Sequence, residues 1–542
     1  MNSRQRTSRL TVSIVSTMPI IAGLMVIALA LGNATREVDD PTLRITILDD
    51  VTDERTPVRV RLTDSDGYAT SLPDEAVAVM YGMWDHADGF GYQPDSSFYA
   101  DGFFEIDLAP GAYAISISKG NEFVEIRDTL HVETDMAREY RFERWINTAE
   151  MGWYSADDHI HIRRSPREDS LLITWIQAED IRVGNTLRMG DFWAKYYSQY
   201  AFGAEGVYRD GDYMLVSGQE DPRTPEIGHL IGLGASQFVR FPDRYYLYDL
   251  VLDSLRALGG VGGYAHQAET FHGYRGLALD GLRGKVDMLE IVQFCAPGGP
   301  LITDHYYHLL NLGFPVTATA GSDFPWCGLP HDGAGEIPLH ENARIGNARF
   351  YAHVDGELTY DSWMDAVRAG RTFASSGPVL VFEVSGRKPG SSLDVTAGAD
   401  IRITATAYGH ARQVPLSTLE IVRQGEVITS VSSGHEGQSS EILSLELDLK
   451  AGEGMWIAAR AAAGPMQVAH TTPVYVTVDG DGFHSDVALD SLLDRSEEYL
   501  LDLEHILSEP HDRVEHQAWR YRDGLMERIV STRSVIERMR SR

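Results

Sequence analysis

Changes of hydrophobic period constrain this chain more than any other feature. From Leu43 to about Arg144, "LRITILDD", "VRVRLTD" and "GAYAISISKG" alternate apolar and polar residues, with Gly, Asp and Pro marking the turns. A period of two sends successive side chains to opposite faces of a strand, so residues 42–144 are expected to form a small antiparallel β-sandwich. Over residues 145–377 the texture changes. Strand-like runs ("DHIHI", "VGGYAHQ", "VDMLEIVQF", "VTATAGSDF") interleave with helix-like ones ("LLITWIQAEDI", "YLYDLVLDSLRALGG", "YYHLLNLG"). Such interleaving argues for βα units around a parallel sheet or barrel. Alternation returns over 378–480 in "IRITATAYG", "LSLELDLKAG" and "PVYVTVDG", which predicts a second β-sandwich. Over 485–542, Leu489, Leu492, Leu493, Leu500, Leu503, Ile506 and Leu507 fall at helical spacing. Pro510 interrupts, and Trp519, Leu525, Ile529 and Ile536 resume the pattern. This is a helical hairpin, expected to pack against the body rather than to form a dimer contact. The fold class is therefore multidomain α/β plus β.

At 542 residues the chain is too long for one core, and 43% apolar residues is the composition of a folded globular protein. The formal net charge of −32 argues against nucleic acid as a partner, because phosphates would be repelled. Arg4, Arg6 and Arg9 precede the apolar run "LTVSIVSTMPIIAGLMVIALALGNA", which ends small-x-small at Gly32-Asn33-Ala34. Residues 1–34 read as a signal peptide, with an uncleaved membrane anchor as the rival. Either puts the protein outside the cytoplasm: periplasmic, extracellular, or tethered facing outward. Cys295 and Cys327 are the two cysteines, either one disulfide or two buried thiols.

The stretch "YSADDHIHIRRSPRED" carries the first chemistry. In a strand His159 and His161 project from one face and Ile160 from the other, and Asp157 or Asp158 could orient a ring nitrogen. Such a pair needs distant partners. In βα folds these gather at the C-terminal ends of strands. Glu220 follows the strand-like Met214–Val216, His229 precedes another apolar run, and His266 and Asp323 end two further strand-like runs. Glu290 lies within "DMLEIVQF", less clearly at a strand end. Imidazoles with carboxylates suit Zn, Mn or Fe, and six such residues can serve two ions.

In this order "DDHIHI", "GQEDPRTPEIGHLIGLG", "YAHQAE" and "TAGSDFPW" resemble the motifs of the PHP (polymerase and histidinol phosphatase) superfamily. The segment "RFYAHVDGELTYDSWMDAVRAGRTFASSGPVLVFEVSG" is similar to the CehA/McbA-like branch. The resemblance covers Trp145 to Gly386, and more loosely reaches Gly480. It implies a distorted βα barrel with metal ligands at its strand ends. It assigns His159 and His161 to the HxH pair, Glu220 to the bridging carboxylate, and His229 to the "GH" element. His266 falls on the "AHP" histidine and Asp323 on the "GSDxH" aspartate. Two imidazoles of the family pattern are missing: none stands near "VGNTLRMGD", and Pro325 replaces the histidine of "GSDxH". The resemblance thus implies a two-metal site, or one metal if the second is loosely held. In the N-terminal sandwich, "LAPGAYAISISKGNEF" resembles the closing hairpin of transthyretin-like or carboxypeptidase-regulatory-like modules.

The expectation is an exported metal-dependent hydrolase. His159, His161 and Asp323 hold one ion, His229 and His266 the other, with Glu220 between them and Asp323 also able to accept a proton. Arg163, Arg164, Gln267 and His272 are expected to line the pocket, with Arg163 or Arg164 binding an anionic group. The substrate would be a small-molecule or glycan-linked ester: phosphoester, carboxyl ester or carbamate. The flanking sandwiches brace the barrel or bind a polymer. A different class remains open, a non-catalytic surface protein binding through its sandwiches, and so does a purely structural metal domain.

Overall fold

The computed structural model describes residues 40–80, 89–90, 95–293, 301–324, 344–434, 441–464, 466–508 and 516–541. The N-terminal stretch 1–34, both cysteines and Pro325 lie outside the described residues. Among the described residues no helix is long and apolar enough to cross a membrane. Residues Pro41–Arg542 form one compact unit, mixed α/β with strand predominating.

The period-two stretch at the start forms two facing sheets as expected, but not a purely antiparallel sandwich, since one of its pairs is parallel. Thr42–Asp49 pairs antiparallel with Phe103–Asp107 and parallel with Met136–Phe142. A second sheet runs in the order Phe98–Ala100, Val58–Asp64, Gly111–Ser118, Ile126–Val132. Leu43, Ile45 and Ile47 point inward and are fully buried, while Arg44 between them is exposed. Val60, Leu62, Ile115 and Ile117 meet them from the second sheet in one core. Each such side chain contributes roughly 1.5–3 kcal/mol by leaving water.

The middle region is a curled half-barrel. Its seven strands are Trp153–Ile160, Val183–Gly190, Tyr213–Thr224, Gly228–Leu233, Val261–Tyr264, Met288–Gln293 and Thr317–Gly321, hydrogen-bonded in that order. Gly228–Leu233 alone runs against the other six. Helices Asp169–Ala178, Tyr248–Ala257, Gly273–Gly281 and Asp304–Asn311 connect them. Strands covered on both faces lose their alternation: Gly228–Leu233, Met288–Gln293 and Thr317–Gly321 are buried at every residue. Curling brings the exits of the first and last strands together, where Ile160 bridges Phe324 in parallel.

The predicted boundary at 377/378 is not a break in the sheet. Arg349–His353 pairs with the first half-barrel strand and with Thr372–Ser375. The latter joins Gln467–Thr471 through Phe373–Thr471, Ala374–His470 and Ser375–Ala469. One sheet therefore runs from the half-barrel into the C-terminal region. There it faces a three-stranded sheet of Val379–Val384, Asp400–Tyr408 and Ile442–Lys450 across a shared core.

The terminal helices Leu489–Ser508 and Arg522–Arg540 lay Leu493, Leu500, Leu503, Leu525, Ile529 and Ile536 into the half-barrel's core. Asp502 accepts from Tyr274 (2.8 Å) and Arg275 (2.6 Å), and Ser496 meets His308 Nε2 at 2.9 Å. The hairpin packs on the body.

Candidate metal centre

Five segments deliver six side chains to one end of the half-barrel. His159 is the last residue but one of its strand, and His161 follows it. Glu220 lies within Tyr213–Thr224, a strand that continues past the end expected for it and shifts register between Glu220 and Arg223. His229 opens the reversed strand, which puts it at the same end as the others. His266 and Asp323 each follow a strand by two residues, and both have left-handed backbone, at φ +56° and +52°. That conformation costs a non-glycine residue about 1–3 kcal/mol and persists only where the surroundings impose it. Gly321 permits the approach of the last strand to the first. A Cβ there would stand 2.3 Å from Asp158 Oδ1 and 2.5 Å from His159 Cβ.

The side chains converge closely. His159 Nε2 is 3.1 Å from His161 Nε2 and 3.4 Å from Asp323 Oδ1. His161 Nε2 is 3.4 Å from Glu220 Oε2 and 3.1 Å from Asp323 Oδ1. On the other side of Glu220, Oε1 lies 2.7 Å from His229 Nδ1 and 3.9 Å from His266 Nε2, while Asp323 Oδ2 is 3.4 Å from His266 Nε2. Three trios have ligand atoms mutually within 4.8 Å: His159, His161, Glu220; His159, His266, Asp323; and Glu220, His229, His266. Glu220 and His266 each belong to two trios, as does His159, so the expected division of the ligands into two separate sets is softer than the sequence suggested.

Residues behind the cluster fix its donors. Glu290 Oε1 takes His159 Nδ1 at 2.8 Å, and Oε2 accepts the backbone N–H of His266 at 2.7 Å. This leaves Nε2 of His159 facing the cluster. Glu290 thus does what had been expected of Asp157 or Asp158. Asp157 instead accepts the backbone N–H groups of His159 (3.0 Å), Ser322 (3.0 Å) and Gly346 (2.8 Å), tying three segments together. Burial pushes its carboxyl up to about 6 against the pull of those bonds. Thr270 Oγ1 meets His266 Nδ1 at 2.8 Å.

Burial disfavours charge throughout, and the neighbours decide the outcome. Burial, then Arg223, holds His229 down to about 3. Burial lowers His161 as well. Both are therefore neutral imidazoles, the form that binds metal. For Glu220 burial is outweighed by Arg223 and His229, which keep the carboxylate ionised. For Asp323 it is outweighed by His159 and His161, with the same result. His159 goes the other way: against its burial, Glu290 and Asp323 hold it well above the ordinary imidazole value, so a cation there would have to displace its proton. Imidazole nitrogens and ionised carboxylates gathered at this spacing fit a divalent cation of the Zn, Mn or Fe kind. His161 Nδ1 is buried without a hydrogen-bond partner.

A cavity of about 190 Å³ opens onto the cluster. Beyond the cluster residues its walls are Met189, Asp191, Tyr196, Arg223 and Phe271. The four residues expected to line it do not. Arg163 turns to Glu168 at 3.1 Å. Arg164 is buried in a pair with Asp169 at 2.8 Å and donates to Ser217. Gln267 is buried, outside the lining. His272 Nδ1 faces the carbonyl of Pro225 at 2.8 Å. Nearness in sequence misplaced Gln267 and His272 because the loop after His266 carries left-handed backbone at Gln267, Ala268, Phe271 and His272 and brings Phe271, not its neighbours, to the cavity; Arg163 and Arg164 are taken by their own acidic partners. Met189 on the neighbouring strand is paired in register with Glu220. A further group, Glu269, Asp304 and His305, is close enough for a cation, but Arg495 already pairs with Asp304.

No family model matches this chain, and no curated protein does. Among solved structures, the sulfur carrier protein SoxY from Chlorobium limicola f thiosulfatophilum aligns at 12% identity and TM-score 0.13, over 18% of this chain and 77% of that one. A calcium-binding mutant of Bacteroides uniformis β-glucuronidase 2 aligns at 8% identity and TM-score 0.16, over 81% of this chain and 58% of that one. A glycosyl hydrolase family 2 member from Bacteroides cellulosilyticus aligns at 10% identity and TM-score 0.16, over 79% and 59%. The chain thus spans under two thirds of either glycosidase, and at these TM-scores the likenesses carry no argument.

Proposed function

We propose that this protein is a metal-dependent hydrolase of ester-type bonds, a divergent relative of the PHP superfamily with the CehA/McbA-like arrangement. The curled half-barrel is then the counterpart of the family's distorted barrel. The observation that carries the reading is the convergence of His159, His161, Glu220, His229, His266 and Asp323 from five separate segments, all but His159 lining one small cavity. His159, His161, Glu220 and Asp323 would hold one ion, and Glu220, His229 and His266 the other. Bound there, two divalent ions would supply a water of near-neutral pKa and stabilise charge on the attacking and leaving oxygens. The chain's own part is positioning. Glu290 holds His159 by its far nitrogen, Asp157 locks the strand exits together, and Asp323, open to the cavity, can accept a proton. The basic-then-apolar N-terminal stretch supports an exported enzyme.

The test is elemental analysis of the full-length protein beside His159→Ala with His161→Ala, followed by turnover of phosphate, carboxyl and carbamate esters. About two equivalents of metal, reduced in the double variant, with metal-dependent turnover of one ester class, is the expected result. A protein that takes up neither Zn nor Mn overturns the reading.

The second reading, a non-catalytic binding protein, has its own observation. The outer face of the second N-terminal sheet holds a polar trough of about 640 Å³, with Ala114, Ser116 and Ser118 as a low floor between Arg61 and Arg127. It contains no imidazole. Ligand binding there without metal uptake at the half-barrel would favour that reading.

A further inference from the structure

We propose that Arg223 is an oxyanion-binding residue of the cavity, so that the ester cleaved here carries a phosphoryl or carboxylate group beside the scissile bond. This rests on the hydrolase reading and narrows the substrate class that the ligands alone leave open.

Arg223 is held by one edge and open at the other. Its Nε lies 2.9 Å from Glu220 Oε2 and 3.3 Å from His229 Nδ1, and its backbone N–H donates to Tyr245 at 3.0 Å. Its two terminal nitrogens make no hydrogen bond to a described residue, and the side chain, 22% exposed, lines the cavity. A cavity-lining guanidinium whose terminal nitrogens are not taken up by a described residue can meet the two oxygens of a phosphoryl or carboxylate group bidentately.

The surrounding charges leave that role to Arg223. Arg240, the nearby second guanidinium, is spent on Asp221 at 2.5 Å and on the carbonyl of Asp191. The acid of the cavity wall, Asp191, is also committed. One oxygen accepts from the N–H groups of Trp193 and Ala194, and the other from Tyr196, each at 2.7 Å. Glu220 is the counter-charge of Arg223, and it is the carboxylate best placed to serve cations. Once its charge is shared with them, Arg223 faces like charge, and an anion between the two is the natural relief.

The rest of the lining agrees. Met189, paired in register with Glu220 on the neighbouring strand, lines the cavity and brings no charge of its own. Beyond His229 the wall is apolar: Phe271 stacks on the His229 ring with centroids 4.1 Å apart and an interplanar angle of 15°. A cavity of 190 Å³ admits only the reacting end of a molecule. The oxyanion therefore sits close to the bond that breaks, and an apolar group lies against Phe271.

The test compares full-length metal-loaded wild type, Arg223→Met and Arg223→Lys by elemental analysis, by calorimetric titration with inorganic phosphate and with acetate, and by KM and kcat for an aryl phosphate and an aryl acetate. Expected are unchanged metal content in both variants and an affinity for phosphate or acetate at least tenfold weaker in Arg223→Met, partly restored in Arg223→Lys. The KM of the anionic ester should rise more than that of the neutral one. Whichever probe suffers more identifies the oxyanion. Retained metal with anion affinity within twofold of wild type overturns the proposal, since Arg223 then only neutralises Glu220. Loss of metal from both variants overturns it too, as a structural role. If wild type takes up no metal the hydrolase reading fails by itself. Arginine-dependent phosphate binding would then still support the anion site, and its absence would sink both.

Discussion

Two strands show how differently the N-terminal sandwich and the half-barrel use burial. In Thr42–Asp49, burial falls on Leu43, Ile45 and Ile47, and the polar residues between them look outward. In Trp153–Ile160, Asp157, Asp158, His159 and Ile160 are all fully buried. The first strand converts apolar area into stability. The second takes ionisable groups out of water: His159 meets Glu290, Asp157 accepts three backbone N–H groups, and burial with Glu290 beside it holds Asp158 well above the usual carboxylate range. A buried polar cluster of this kind is where chemistry is to be sought, whereas the sandwich core offers only cohesion.

Mutations that act on one region and spare the other sharpen that contrast. The largest effect is expected for Glu220→Gln, which removes the charge shared by the trios. It should release at least one of about two equivalents of metal and abolish metal-dependent turnover, read by elemental analysis and ester assay, while urea unfolding of the sandwich stays as in wild type. Glu290→Gln acts from behind the ligands. Metal affinity should fall roughly 10–100-fold by competition with a chelator, and an unchanged affinity would remove Glu290 from its positioning role. Ile45→Ala should invert the pattern, costing about 2–5 kcal/mol in urea denaturation with full metal content per folded molecule. A drop in metal content would show that the two regions are not separable.

The smallest effect concerns pH. Burial holds His308, bonded to Ser496 of the hairpin, down to about 3. In the unfolded chain it would titrate near 6.5. Between those values the unfolded chain binds the extra proton. The stability His308 contributes is therefore complete above about pH 6.5 and drains away as pH falls toward 3. His308→Gln should flatten this part of the acid limb in a series of thermal melts, and an unchanged slope would rule out His308 as its source.

How much of this could be read from residue order depends on how far each feature reaches along the chain. Period and local motif are short-range, and they placed the sandwich, the hairpin, the interleaved middle and the six converging side chains. The His159–His161 pair was legible because a strand repeats every two residues. Glu290 was not, because Met288–Gln293 is buried on both faces and a carboxylate inside such a run carries no period. The place of Arg223 in the cavity wall was missed because it follows a register shift after Glu220 that periodicity does not reveal. Arg163, Arg164 and His272 were misplaced because proximity along the chain was taken for proximity in the cavity.

The sheet that crosses residue 377 has a consequence for anyone wishing to cut the protein down. Removing everything beyond that point would strip Thr372–Ser375 of its neighbour Gln467–Thr471. A row of backbone N–H and C=O groups would then stand open at a raw edge, ready to zip onto another copy. A fragment cut there should therefore be sticky rather than merely weaker, and its failure in solution would say nothing about the side-chain cluster it carries.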